Sequence, residues 1–144
     1  MGFTEDNKAQ LDRMRSLLAA LDSSSWDKDI GGGWTVGTMI CHLGFWDRMT
    51  SARILAWRSH GRLTSVPDAD NVEAINDSVR FLSQGVDLAH GTRLAIQAAS
   101  EIDAIAASLS PKELSDLESS GRDRWFKRSL HRQGHLERLE QALR

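Results

Sequence analysis

At 144 residues the chain has the size of one ordinary domain over 1–144, long enough to bury a core without disulfides or metal to staple it. Hydrophobic residues make up 40% and charged residues 26%, which excludes a disordered or fibrous chain and fits a globular protein. The net charge of -2 gives no broad attraction to phosphate backbones or anionic lipid, so neither nucleic acid nor a membrane surface is an expected partner.

Thr4 is placed to cap a first helix running to about Leu21, with Leu11, Met14, Leu17, Leu18 and Leu21 recurring on one face. Asp22 and the three serines after it end that helix, and a loop containing Gly31, Gly32 and Gly33 follows. Thr35 can cap a long second helix through Val36, Met39, Ile40, Leu43, Trp46, Ile54 and Trp57, ending near His60 and Gly61. Asp68 or Asp70 can start a third helix through Val72, Ile75, Val79 and Leu82, before Gly85 weakens the pattern. The alanine-rich run from about Leu88 to Leu109 reads as a fourth. Pro111 suits a first helical position, which predicts a short connecting helix over 112–117. A last helix is expected from about Asp123 to Leu143, carrying Trp125, Leu136, Leu139 and Leu143. No segment alternates with the period of a half-buried strand, so the expected fold is all-α, a four-helix bundle with one short accessory helix.

Cys41 is the single cysteine; it rules out an internal disulfide, fits a reducing compartment and reads as a small buried residue, not a nucleophile. The first residues lack the basic and apolar regions of a signal peptide, and no apolar run reaches the ~18 residues of a spanning helix. The expected location is cytoplasmic.

His131 and His135 stand four apart on the last helix, where they share a face and could chelate one metal. Chance produces this spacing often enough that a pair of half-buried, hydrogen-bonded histidines is an equal reading. His42 lies among apolar residues in the second helix and needs a partner for each ring nitrogen, which a metal, a carbonyl or a carboxylate could provide. His60 and His90 precede glycines at helix ends and are assigned no ligand role. Arg124 and Arg128 precede His131 by seven and three residues and so share its side of the expected helix. They are candidates to bind a carboxylate of a small-molecule substrate or thiol cofactor, against the plainer reading of a solvated first turn. Asp47 and Glu137 are candidate acceptors for an imidazole N–H, and Trp46, one turn past His42, can wall the pocket.

The stretch from Gly33 to Asp47, with Trp34-Thr35-Val36, His42-Leu43 and Trp46-Asp47, resembles the signature opening the second helix of the DinB/YfiT-like metalloenzyme superfamily, which includes the mycothiol-dependent maleylpyruvate isomerase-like proteins. The segment from Leu130 to Arg138 resembles the same superfamily's closing H-x-x-x-H helix. The resemblance implies a four-helix bundle in which His42, His131 and His135 hold one divalent metal, zinc or nickel first and iron or cobalt next. It also implies a metal-dependent thiol transferase, isomerase or hydrolase, a low-molecular-weight thiol as co-substrate, and a homodimer. A non-catalytic bundle with a structural or vestigial metal is the alternative. The region between Gly85 and Ser120 carries no recognisable motif.

Overall fold

Capping chemistry explains where most of the helices begin. The computed structural model describes residues 2–144, which form seven α-helices and one two-stranded ribbon. Helix α1 (Phe3–Ala19) starts two residues earlier than expected, with Gly2 at the cap and Thr4 inside, donating its hydroxyl to Glu5. Asp22 ends the connection to α2 (Ser23–Trp26), a single turn where a loop was expected; its carboxylate accepts the Ser25 amide at 2.9 Å. Thr35 and Thr38 form a reciprocal capping box for α3 (Val36–His60), and Gly61 closes that helix at φ 75°, a left-handed conformation that favours glycine. Asp68 caps α4 (Ala69–Ser83), Asp87 caps α5 (Leu88–Ala107), and Ser110 with Glu113 boxes α6 (Pro111–Ser119).

Two features depart from expectation. Asp29–Gly31 (β1) and Trp34–Thr35 (β2) pair antiparallel around Gly31, Gly32 and Gly33, all at positive φ. Two or three residues are too few for an alternating pattern, so this ribbon reads as loop in the sequence. The last helix is also broken. Asp123–Trp125 form a 3₁₀ turn, and α7 covers only Ser129–Ala142. Its start is capped from far away: Asn7 of α1 accepts the Ser129 amide at 2.8 Å and donates to the Phe126 carbonyl at 2.8 Å. A cap lying 122 residues away leaves no local signal.

Helices α1, α3, α5 and α7 make the bundle, with α3 against α5 the most extensive pairing. One core cluster includes Leu11, Met14, Leu18, Met39, Ile40, Leu43, Leu136 and Leu139; a second, at the other end, gathers Ile54, Ile102, Leu117, Trp125 and Phe126. Gly44 lets α3 approach α5 closely: a Cβ there would stand 3.1 Å from the Ala95 Cα. Trp26 wedges into the same end, its ring against Gly37 and Gly91 and its indole N–H donating to the Val86 carbonyl at 2.9 Å. The α3–α7 seam is wider, and polar side chains fill it. No helix among the described residues is long and apolar enough to cross a membrane.

Candidate metal centre

Helix α3 directs His42 into that seam and α7 brings His131 and His135 to meet it on successive turns. The ring centroids lie 5.3 Å (His42 to His131), 4.8 Å (His42 to His135) and 4.9 Å (His131 to His135) apart. One nitrogen from each ring falls within 4.8 Å of the other two, so the cluster could hold a metal ion. The Nε2 atoms of His42 and His135 are 3.3 Å apart. That is the spacing of two ligands on a tetrahedral ion with bonds of about 2.0–2.1 Å, whose edge is ~3.3–3.4 Å. His42 is 5% exposed and its Nδ1 has no partner, so the ring's polar contact is made at Nε2, towards the cluster.

Electrostatics keep all three rings neutral at physiological pH, the form that binds metal. Burial, followed by the neighbouring His135, lowers His42 to about 4. Burial, then the Arg128 charge, then the other two histidines and Arg132, lowers His131 to about 2. Burial and Arg138 lower His135 as well. The set of donors therefore fits a borderline divalent cation.

The β1–β2 ribbon lies beside the cluster. The Trp34 ring stands edge-on to His42 at 5.4 Å, so Trp34 walls the site where Trp46 was expected. Arg138 of α7 donates to the Ile30 and Gly31 carbonyls at 3.1 Å, and Arg80 of α4 donates to the Gly33 carbonyl at 3.3 Å. Beside the ribbon, Trp34, Pro67, Asp70, Glu73, Asn76 and Arg80 line a cleft of about 840 Å³. A more apolar hollow of about 570 Å³, lined by Cys41, Phe45, Leu94 and Ala98, lies between α3 and α5 and includes none of the three histidines. Burial pushes the Cys41 thiol up to about 11, which leaves it protonated at neutral pH.

Beneath His131 runs a buried ionic network. Asp47, fully buried, accepts Arg128 Nε at 2.9 Å and Arg132 at 3.3 Å; Arg132, also fully buried, donates to both oxygens of Asp103 at 2.8 and 2.9 Å. Arg132 further donates to the Asn7 and Ala99 carbonyls. Two cations and two anions thus balance inside the bundle, with every helix of the bundle contributing. Arg128 also donates to the Arg124 carbonyl at 3.0 Å and to His131 Nδ1 at 3.3 Å.

These contacts revise several expectations. Arg128 is committed to Asp47 and His131, and is 5% exposed. Arg124 is exposed on the 3₁₀ turn, because the break before Ser129 removes it from the face of α7. Arg128 is thus engaged inside the bundle, and Arg124 lies off the α7 face that carries the histidines. Asp47 reaches His131 only through Arg128, and Glu137 is exposed and accepts from Gln133. His60 and His90 are exposed and remote from the triad. Arg132 and Asp103 were missed; their spacing on two helices, 29 residues apart, carries no local signal.

A family model described as the mycothiol maleylpyruvate isomerase N-terminal domain matches residues 8–135. The chain belongs to that family. No curated protein and no solved structure matches it. The matched span runs from the first turns of α1 to His135, so the mycothiol maleylpyruvate isomerase N-terminal family and its DinB/YfiT-like superfamily cover both helices that carry the histidines.

Proposed function

We propose that the chain holds one divalent metal through His42, His131 and His135, zinc or nickel first and iron or cobalt next, and uses it in a thiol-dependent transfer or isomerisation of a small molecule. The observation that carries this reading is the convergence of three neutral imidazoles from two helices on one point. The mycothiol in the family's description supports a low-molecular-weight thiol as co-substrate. Hydrolysis, which needs only water at the same site, is the competing chemistry.

A metal bound by three imidazoles keeps an open position and supplies a Lewis acid that favours the deprotonated form of a thiol or water there. The chain's own residues do the rest. Trp34 stands edge-on to His42 and walls one side of the cluster. Arg128, held by Asp47, fixes the plane of the His131 ring.

Untagged protein should carry or take up close to one equivalent of Zn²⁺ or Ni²⁺, and His131→Ala should lose it. Cobalt substitution should give a d–d band that vanishes in the same variant. Metal content of a small fraction of an equivalent, with no rebinding, overturns the proposal. A thiol-dependent turnover of electrophiles that is absent from His42→Ala separates an enzyme from a bundle whose metal is structural.

A further inference from the structure

Helix α7 buries Arg132, Leu136 and Leu139. Both leucines lie beyond His135, so in the part of the helix that carries His131 and His135 the buried side chain is a charged one; Leu130, the apolar residue there, is exposed. Burial of apolar surface is nearly indifferent to angle, whereas hydrogen bonds are directional. The rotation of this part of α7 is therefore set by Arg132.

All three guanidinium nitrogens of Arg132 donate. They reach Asp47 of α3 at 3.3 Å, both oxygens of Asp103 of α5 at 2.8 and 2.9 Å, and the carbonyls of Ala99 in α5 and Asn7 in α1 at 3.3 Å. One side chain thus ties α7 to the three other helices of the bundle, and the fork on Asp103 fixes a plane as well as a distance. The tie lies where the histidines are. Arg132 follows His131 directly and precedes His135 by three residues, and Asp47 stands five residues past His42 on α3.

Small rotations matter at this radius. Side chains end about 5–6 Å from a helix axis, so turning α7 by about 10° carries a ring nitrogen roughly 1 Å. Metal–ligand distances tolerate about 0.2 Å. The wide α3–α7 seam has few apolar contacts to resist such a turn, and yet the three rings stand with centres 4.8, 4.9 and 5.3 Å apart.

We propose that Arg132 is the positioning residue of the centre: through Asp47 and Asp103 it holds α7 at the rotation where His131 and His135 meet His42, so that the triad is assembled before an ion arrives. This rests on the reading of the histidines as metal ligands. Arg132 acts through the helix it fixes.

The test is the double variant Arg132→Met with Asp103→Leu, which removes one buried cation and one anion and leaves Asp47 paired with Arg128. Exchanging an ion pair for apolar side chains of similar size is often neutral for stability, so the urea midpoint should stay close to that of wild type. Zinc affinity by chelator competition, measured where both proteins are fully folded, should fall at least about tenfold. In zinc-free wild type, nuclear Overhauser contacts should join the His42 and His135 rings, and these should be lost in the double variant. Wild-type zinc affinity in the folded double variant overturns the proposal, as does persistence of those contacts. If the double variant does not fold, Arg132→Lys takes its place: it keeps the charge without the fork and should lose zinc affinity in the same direction, and wild-type affinity there overturns the proposal equally. A wild type that takes up no zinc sinks the metal reading instead, and the zinc-free ring contacts then decide the role of Arg132 alone, lost in the variant if it positions α7 and kept if it does not.

Discussion

Asp47 lies between two guanidinium groups and away from water. Asp47→Asn leaves Arg128 and Arg132 with one compensating carboxylate, that of Asp103, and should lower the unfolding free energy by about 3–5 kcal/mol, read from urea denaturation. Arg128 has a subtler effect. A guanidinium cannot accept a proton, so its contact with His131 Nδ1 suits a ring whose proton is on Nε2, whereas metal-bound imidazoles usually donate from the second nitrogen to an acceptor. Arg128→Gln offers a carbonyl in that place and should tighten zinc binding by about tenfold in a chelator competition. A loss of affinity would show that the charge aids the site. The three histidines were legible from spacing and resemblance because helical periodicity sets i and i+4 on one face. The pairing of Arg128 with Asp47 was not legible, since Asp47 meets it from another helix, 81 residues away.

Glycines in helices separate local preference from packing. Gly134 sits in α7 between two of the histidines with no atom near its virtual Cβ, so Gly134→Ala should raise stability by about 0.5–1 kcal/mol through helix propensity alone. Gly37 gains the same propensity on substitution, but a Cβ there collides with the Trp26 ring; Gly37→Ala should therefore lower stability by about 1–3 kcal/mol. Thermal melts of the two variants against wild type give opposite signs if packing governs the second. Elements whose ends carry their own caps, such as α3 with Thr35 and α4 with Asp68, were readable in sequence. The single turn at Ser23–Trp26, the glycine ribbon and the break before Ser129 were not, because short ladders and distant caps such as Asn7 exist only once the chain has folded.

The whole molecule should feel acid through its buried imidazoles. Above about pH 6.5 the histidines are neutral in both folded and unfolded chains and contribute no pH dependence. Below it the unfolded chain takes up protons that folded His42 and His131 refuse until about pH 4 and about pH 2 respectively. Stability should thus fall as pH drops from 6.5 towards 4, by about 1.4 kcal/mol per pH unit for each histidine. The His42→Leu variant should show a shallower decline in urea midpoints over this range. Bound zinc should raise the melting temperature at pH 7 and make the acid decline steeper, since protons and metal compete for the same nitrogens.

The tight seam at Gly44 reaches further than its own contacts. It stands two residues past His42, on the opposite side of α3, where it sets how close that helix can come to Ala95. Adding a methyl group there would push the α3 backbone towards α7 and alter the bite available to the three nitrogens. The spacing of the proposed ligands is then adjustable from behind, by a residue on the far side of α3 from His42.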